Sequence, residues 1–395
     1  MAANQITQDV LFVGAVDYKR RLFDELIPLP DGTSYNSYLV KGSDKTILID
    51  SVDPPMLDTL LKNLSGSGIE KIDYIISQHG EQDHSGSIPE LINRFPQVRI
   101  ITNKKCMNIL MDLLQVSEDR FMVVEDGEEL SLGGKTFKFI LTPWVHWPET
   151  MSTYLVEDKI LFSCDFFGSH YATDKLMVSG TGWEKIEPAA KRYFGEIMLP
   201  FITSIRKNIE KLKNYDIKFI APSHGPVHDD ISHIMRSYGE WSSDKLSNKV
   251  IIPYVSMHGS TEIMAKHLKS SLEKKGIEVL LFHMVEDDLG DLAASLIDAA
   301  TIVIATPTVL AGPHPQAIYA AYLAKILRPK VKFISIIGSY GWGGKTVEIL
   351  ADIVSTLKAE ILDPVIIKGH PIEADLKALD DLADKISLKH SEMTG

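Results

Sequence analysis

The chain has almost no cysteine. Its 395 residues include only Cys106 and Cys164, which excludes a disulfide framework and a cluster of thiolate metal ligands. A basic surplus is missing too, because 41 Lys and Arg stand against 53 Asp and Glu, for a formal net charge of −12. This balance argues against sequence-independent binding of nucleic acid and against a basic membrane-surface module.

Long apolar runs and targeting signals are also missing. No run approaches the roughly 20 residues that span a membrane, and the first ten residues lack the basic start and apolar core of a signal peptide. We therefore expect a cytoplasmic protein without a membrane partner. A hydrophobic content of 45% is that of a globular protein, and the length favours two domains.

The most informative stretch is a polar loop that follows the apolar run Ile72–Ile76, which predicts a buried strand. Six consecutive residues of this loop contain two imidazoles and two carboxylates, those of His79, Glu81, Asp83 and His84. Such donors suit zinc, manganese or non-haem iron. A solvated polar loop is the alternative, and four donors at this density argue against it.

Further potential metal ligands each follow a predicted strand. They are His146 after Thr136–Thr142, Asp165 after Lys159–Ser163 and His224 after Ile217–Ala221. Donors that each lie at the carboxyl end of a strand can meet at one rim of a sheet. Since one metal ion seldom takes seven protein ligands, the pattern predicts two ions that share Asp165 as a bridging ligand. The element order predicts two sheets packed face to face and flanked by helices, with helical spacing from Pro188 to Leu212.

This donor pattern resembles that of a known family. The residues that carry the resemblance are His79-x-Glu81-x-Asp83-His84, His146, Asp165 and His224, which look like the metallo-β-lactamase-like domain of flavodiiron proteins. The resemblance implies an αββα sandwich over residues 1–247. In zinc hydrolases of that superfamily the second position of the motif is usually His. Here it is Glu81, whose anionic oxygen favours iron over zinc.

After about residue 250 the pattern changes to alternating strands and helices, with three loops after predicted strands. The loops contain Ser256, Met257, His258, Gly259, Ser260 and Thr261; Pro307, Thr308, Leu310, Ala311 and Gly312; and Ser339, Tyr340, Gly341, Trp342 and Gly343. In a doubly wound sheet such loops meet outside the carboxyl ends of the strands, where ligands bind. The first loop offers N–H groups and hydroxyls to a phosphate, although it matches neither the dinucleotide fingerprint nor a nucleoside-triphosphate loop.

A phosphate-binding turn beside an aromatic loop resembles the FMN site of a flavodoxin domain, which we expect over residues 248–395 as a doubly wound parallel sheet. The resemblance to flavodiiron proteins then covers nearly the whole chain, with both domains in the family's order. No Cys-x-x-Cys pair follows the flavodoxin-like part. We therefore expect the minimal two-domain form, without a fused rubredoxin or flavin reductase module.

The resemblance implies reduction of dioxygen to water, or of nitric oxide to nitrous oxide, at two non-haem irons supplied with electrons by FMN. By the family pattern, one iron is held by His79, Glu81 and His146, and the other by Asp83, His84 and His224, with Asp165 as the bridge. In some family members the imidazole at the position of His84 turns away from the metal, so its role stays open. Trp147 and Tyr193 are candidates beside the substrate pocket, with plain packing as the alternative for each.

The resemblance also implies partners. The electron donor would be a rubredoxin or a reduced deazaflavin coenzyme, and two chains would pair head to tail, either as a homodimer or as a dimer of dimers. Two other functions remain as alternatives: a dinuclear zinc hydrolase fused to a flavodoxin-like domain, and an electron carrier with an inactive first domain. The other histidines, among them His170 and His228, show no donor pattern and are interpreted as structural.

Overall fold

The computed structural model describes residues 4–394. The chain divides into two compact units, Met1–Tyr193 with Phe201–Ser242, and Phe194–Pro200 with Ser243–Gly395. The domain boundary expected between residues 247 and 248 stays a prediction. Within the described residues, no helix has the length and apolar character needed to cross a membrane.

Two large sheets organise the first unit. In order across the sheet, the seven-stranded sheet consists of Gln5–Thr7, Val10–Phe12, Tyr38–Lys41, Thr46–Ile49, Tyr74–Ile76, Arg99–Thr102 and Phe121–Val123. The five-stranded sheet consists of Glu129–Leu132, Lys135–Leu141, Met151–Leu155, Ile160–Cys164 and Phe219–Pro222. Two short antiparallel pairs stand outside these sheets, Ala15–Asp17 with Thr33–Tyr35 and Leu22–Phe23 with Ile27–Pro28.

Residues of both sheets belong to one shared hydrophobic core. Ile49, Ile76 and Ile101 belong to it from the seven-stranded sheet, and Phe139 and Phe162 from the five-stranded sheet; all five are fully buried. Side chains alternate between the two faces of a strand, so the opposite faces of both sheets remain for helices to cover. The first unit is thus the αββα sandwich predicted from the sequence.

The helices of the first unit vary from one turn to three. They are Leu57–Gly66, Gln82–Ser85, Ile88–Arg94, Lys104–Leu114, Val178–Thr181, Trp183–Tyr193, Ile202–Leu212 and Ile231–Ser242. The prediction that helical spacing from Pro188 to Leu212 forms one helix is wrong. A π-helical turn, Phe194–Met198, and a 3₁₀ turn, Leu199–Phe201, separate the helices Trp183–Tyr193 and Ile202–Leu212. Pro200 lacks the N–H that a continuous α-helix needs at that position.

A parallel sheet organises the second unit. Its strands, in order across the sheet, are Glu278–His283, Ser247–Tyr254, Ala299–Val309 and Phe333–Tyr340, with Glu360–Ile361 and Val365–Lys368 both paired to the last of these. The short strand Gly312–Pro313 pairs antiparallel with Ala299–Val309. Along the chain, Ser247–Tyr254 is the first strand of this sheet and Glu278–His283 is the second. The second strand lies at the edge of the sheet with the first strand beside it, which is the strand order of a flavodoxin-like doubly wound sheet.

The helices of the second unit lie between these strands along the chain. They are Ser260–Glu273, Leu289–Leu296, Pro315–Leu327, Thr346–Val354 and Glu373–Thr394. Val250, Val303 and Ile337 from the sheet pack in one core with Leu268 and Leu382 from the helices. This core fixes the sheet, so the loops at the carboxyl ends of its strands have a rigid support.

Candidate metal centre and flavin site

The seven predicted donors converge at one rim of the first unit, each from the carboxyl end of a strand. His79, Glu81, Asp83 and His84 follow Tyr74–Ile76; His146 follows Lys135–Leu141; Asp165 follows Ile160–Cys164; and His224 follows Phe219–Pro222. The one-turn helix Gln82–Ser85 places Asp83 and His84 side by side. We name two sets of donors: the Glu81 group is His79, Glu81 and His146, and the Asp83 group is Asp83, His84 and His224.

The Glu81 group surrounds one small space. Glu81 Oε2 lies 3.1 Å from both His79 Nε2 and His146 Nε2. Asp165 Oδ2 faces the same two imidazole nitrogens at 3.5 and 3.4 Å. Two nitrogens and two anionic oxygens therefore point at a common centre.

The Asp83 group repeats this arrangement on the other side of Asp165. Asp83 lies 3.1 Å from His224 Nε2 through Oδ2 and 3.2 Å from His84 Nε2 through Oδ1. Asp165 Oδ1 lies 3.2 Å from His84 Nε2 and 3.4 Å from His224 Nε2. Each oxygen of Asp165 thus faces a different group, and the His84 imidazole is turned toward the centre.

Both groups have the dimensions of a metal site. Donors bound at about 2.1 Å to one ion lie about 3.0–3.4 Å apart in octahedral or tetrahedral geometry, and the measured separations run from 3.1 to 3.5 Å. Both oxygens of Asp83, both oxygens of Asp165 and His84 Nε2 are buried without a hydrogen-bond partner. Buried polar atoms normally have partners, so these atoms fit the place of metal ligands.

The protonation of the donors is set by their own negative charges. Burial lowers the pKa of His146, but the carboxylates of Asp165 and Glu81 outweigh it and raise the pKa to about 9. In the same way, Asp165 and Asp83 outweigh burial and raise the pKa of His224 to about 10. Without a metal ion, His146 and His224 therefore hold protons at neutral pH, in the place where a metal ion would supply positive charge.

Two ligand imidazoles are held from behind by different acceptors. His79 Nδ1 lies 2.7 Å from Glu149 Oε1, whereas His224 Nδ1 lies 2.6 Å from the carbonyl oxygen of Ser34. Gly225, next to His224, has a φ of +80°, and a Cβ there would lie 2.2 Å from Ser169 Oγ. Only glycine fits this turn, which keeps the His224 ring in place.

Aromatic residues cover the metal site. The Trp147 ring lies edge-on to His79 with 5.0 Å between centroids, and Tyr193 lies 6.1 Å from His224. Both rings thus contact predicted metal ligands, and their place beside the substrate stays a prediction. His170, interpreted from sequence as structural, packs on both Tyr193 and His224 at 4.9 Å. Phe23 closes this side at 5.1 Å from His170.

Sequence reasoning missed three groups beside the donors. Glu149 is 2% exposed and supports His79. Asp24 has a φ of 50° in the turn after Phe23, and burial together with the charges of Glu81 and Asp83 raises its pKa to about 6. His170 lies among ring contacts that no spacing reveals. For Glu149 a signal existed: it is an acidic residue just before a wholly buried strand, Met151–Leu155.

The three predicted flavin loops meet in the second unit. They enclose a cavity of about 320 Å³, lined by Ser256, Met257, His258, Ser260, Thr261, Pro307, Thr308, Ser339, Tyr340 and Gly341, together with Gly369 and His370, which were not predicted. The other predicted residues, Gly259, Leu310, Ala311, Gly312, Trp342 and Gly343, belong to the same loops but do not line this cavity. The loops are thus brought together, and the contacts of each residue with FMN stay a prediction.

The cavity fits a phosphorylated ligand. It opens on the first turn of the 14-residue helix Ser260–Glu273, whose free N–H groups attract anions. Thr261 Oγ1 is buried there without a hydrogen-bond partner. Ser256 Oγ accepts from Gly259 N at 3.1 Å and shapes the loop. An orphaned hydroxyl beside a helix N-terminus is what a phosphate would satisfy.

Comparisons with known proteins agree with both domains. Residues 33–225 match a family described as ODP family beta lactamase, and residues 252–384 match flavodoxin. The chain is 32% identical to the nitric oxide reductase of Moorella thermoacetica over 97% of this chain and 98% of that protein. It resembles the structure of rubredoxin oxygen:oxidoreductase from Desulfovibrio gigas with a TM-score of 0.95, 31% identity and 98% of each chain covered. For the flavodiiron protein of Giardia intestinalis the TM-score is 0.91 at 28% identity, with 100% of this chain and 98% of that one covered.

A dinuclear donor set on a metallo-β-lactamase-like domain, followed by a flavodoxin-like domain, defines a metalloflavoprotein of two domains. The chain belongs to the flavodiiron protein family. It is an oxidoreductase whose cofactors are FMN and two non-haem irons.

Proposed function

We propose that this protein reduces dioxygen to water, nitric oxide to nitrous oxide, or both. The observation that carries the proposal is Asp165, which presents one oxygen to each of two equivalent donor groups. The Glu81 group and the Asp83 group would hold two irons, which would supply the redox chemistry of this reduction, and the three loops of the second unit would hold FMN as the source of electrons. The names of the relatives, nitric oxide reductase and rubredoxin-oxygen oxidoreductase, support this chemistry.

The chain's own residues set the conditions for this reaction. Glu81, Asp83 and Asp165 supply anionic oxygens, which stabilise the more highly charged state of iron. Phe23, Tyr193 and His170 pack around His224, and we assign to them the exclusion of bulk water. Tyr193 and Trp147 are the side chains that we place beside the gas.

A dinuclear zinc hydrolase is the weaker alternative. Zinc has no redox chemistry, which would leave the flavin cavity of the second unit without a purpose. Two relatives that this chain matches over nearly their whole length are named nitric oxide reductase and rubredoxin-oxygen oxidoreductase. An electron carrier with an inactive first unit is weaker still, because all seven donors are present and directed at two centres.

We infer a head-to-tail dimer from the surface beside the flavin cavity. Leu310 is 91% exposed, Trp342 75% and Met257 48%. Large apolar side chains clustered at a binding site mark an interaction surface, and pairing two copies is the commonest oligomeric arrangement. In such a dimer the FMN of one chain would serve the irons of the other. Rubredoxin or a reduced deazaflavin coenzyme would supply the electrons, and the two buried free cysteines support a cytoplasmic setting.

Anaerobic stopped-flow tests the main proposal. The iron-loaded, fully reduced protein is mixed separately with dioxygen and with nitric oxide, and flavin reoxidation is followed. Fast reoxidation by dioxygen alone identifies a dioxygen reductase, and fast reoxidation by nitric oxide alone a nitric oxide reductase. If neither gas reoxidises the flavin, the proposal is wrong and the hydrolase takes its place.

Sedimentation velocity tests the dimer. Replacing Leu310 and Trp342 by Ser is expected to shift the protein from dimer toward monomer. The same double variant is expected to slow the reoxidation of the flavin that takes place through the irons. The control is Leu388→Ser, a 60% exposed leucine on the last helix. A parent protein that sediments as a monomer would contradict the dimer and leave the gas chemistry to its own test.

A further inference from the structure

The two donor groups differ in what lies behind their imidazoles. In the Glu81 group, Glu149 Oε1 lies 2.7 Å from His79 Nδ1 and also accepts from Gly80 N at 3.1 Å. In the Asp83 group, the corresponding acceptor is the neutral carbonyl oxygen of Ser34, 2.6 Å from His224 Nδ1. One imidazole is thus backed by a carboxylate and the other by a peptide group.

Glu149 is fixed in this position by its own loop. Asn103 Nδ2 donates to the Glu149 carbonyl oxygen at 2.6 Å, and the following strand joins the His79 loop through Met151 N and Gln78 O at 3.0 Å. His146, a member of the Glu81 group, lies three residues earlier on the same loop. A single loop therefore supplies one ligand of this group and the support for another.

The burial of Glu149 makes its charge effective. The side chain is 2% exposed, and its second oxygen, Oε2, has no hydrogen-bond partner. An anionic acceptor on the outer nitrogen of a ligand imidazole increases the electron density that the ring gives to the metal, more than a neutral carbonyl does. Greater donation stabilises ferric over ferrous iron and lowers the reduction potential of that iron.

We propose that Glu149 is a positioning residue that makes the iron of the Glu81 group harder to reduce than the iron of the Asp83 group. The inference rests on the iron pair of the proposed function and adds an order to it. Electrons that enter the pair would settle first on the iron of the Asp83 group. The iron of the Glu81 group would be the last to be reduced and the first to be oxidised.

Glu149→Gln separates charge from position. The Gln carbonyl oxygen can still accept from His79 Nδ1 and Gly80 N, so the ring stays oriented while the negative charge is lost. Reductive titration of the iron-loaded protein, followed by electron paramagnetic resonance, gives the two midpoint potentials of the pair. In this variant we expect the lower of the two midpoint potentials to rise. The difference between the two midpoint potentials, which we call the gap, should therefore narrow.

Asp50→Asn is the matched control for loss of a nearby buried charge. Asp50 accepts from Gln78 N and Gln78 Nε2, both at 2.8 Å, and neither oxygen bonds to a ligand imidazole. Its φ of 53° suits Asn, and Gln78 Oε1, which has no partner, could accept from the new amide. Because the charge of Asp50 acts on both His84 and His79, its loss is expected to move both midpoint potentials in the same direction and to change the gap between them less than Glu149→Gln does. An unchanged gap in Glu149→Gln, or an equal narrowing in Asp50→Asn, would refute the inference.

Iron uptake gives a second readout that does not need the potentials. In Glu149→Ala the His79 ring loses its support, and we expect one of the two equivalents of iron to bind about 10–100-fold more weakly while the other is unchanged. Equal weakening of both equivalents, or of neither, would also overturn the proposal. Thermal unfolding of the iron-free protein, followed by circular dichroism, reports whether the first unit of the variant still folds. Neither readout requires gas reduction, so a parent protein inert to both gases would refute the proposed function alone.

Discussion

Asp165 Oδ1 lies 3.4 Å from His224 Nε2, on the side of the carboxylate turned away from the Glu81 group. The other oxygen, Oδ2, faces the Glu81 group at a matching distance of 3.4 Å from His146 Nε2. One carboxylate thus serves two centres with equal geometry. The predicted bridging position of Asp165 rests on this relationship, because no other carboxylate of the described donor set faces both groups.

Replacing Asp165 by Asn tests the bridge. An amide presents one neutral oxygen, so it cannot give an anionic donor to both groups. We expect the variant to bind fewer than two irons per chain and the rate of gas reduction to fall by about 100-fold or more. Even the loss of a residue that only hydrogen-bonds to a metal ligand lowers metal affinity or activity about 10–100-fold. Metal analysis by mass spectrometry and oxygen-electrode rates measure both. The control is Asp229→Asn, a half-buried residue that accepts a hydrogen bond from Ser179 N; two firmly bound irons in Asp165→Asn would contradict the bridge.

Iron loading should strengthen as the pH rises. The carboxylates raise the pKa of His146 to about 9 and that of His224 to about 10 in the metal-free site. Each imidazole must lose its proton to bind metal, so below these pKa values affinity rises by about tenfold per pH unit for each proton displaced. Calorimetric titration with ferrous iron in two buffers of different ionisation enthalpy measures the protons released. An affinity that is constant from pH 6 to 9 would contradict this expectation.

The flavin phosphate should depend on Thr261. Its hydroxyl is buried and unpaired at the start of the helix Ser260–Glu273, and a hydrogen bond to a charged group is worth about 1.5–3 kcal/mol. Thr261→Val keeps the shape and should weaken FMN binding about 10–100-fold in a fluorescence titration, with little effect on riboflavin. Thr356→Val, at an exposed position of the same unit, is the control. Equal loss of FMN and riboflavin would show a packing defect instead.

The convergence of the metal donors could be predicted because it depends on local rules. Each donor follows an apolar strand, and the ends of strands in packed sheets share a rim. His146 and Asp165 each follow a strand in this way, and their donor atoms lie within one cluster; their role as metal ligands stays a prediction. Helix Lys104–Leu114 follows local rules too, since its apolar spacing and the Asn103 side chain that caps it both lie within one short segment.

Contacts between distant segments could not be predicted in the same way. Glu149 and His79 are 70 residues apart, and neither belongs to a spacing that names the other. The segment Phe194–Pro200 forms part of the second unit although it lies in the middle of the first along the chain. Local patterns also could not show which histidines face the metal site. His170 differs from a structural histidine only in the residues that surround it in the folded protein.

His228 should make the first unit sensitive to mild acid. It is buried with its Nε2 3.0 Å from the Phe167 carbonyl oxygen, and burial lowers its pKa to about 4. An unfolded histidine titrates near pH 6.5, so its contribution to stability is complete above that pH and is lost as the pH falls toward 4. Between pH 7.5 and 5 this amounts to about 2 kcal/mol of unfolding free energy.

His228→Gln isolates that contribution. Its amide can still donate to the Phe167 carbonyl but does not titrate, so the variant should lose about 2 kcal/mol less than the parent over the same pH range. Denaturant unfolding of the iron-free protein at pH 7.5 and 5, followed by the fluorescence of the first unit, measures the difference. His233→Gln, an exposed histidine on helix Ile231–Ser242, should behave like the parent. If His228→Gln loses as much stability as the parent, another buried group governs the acid response, and the neutral state assigned to His228 is wrong.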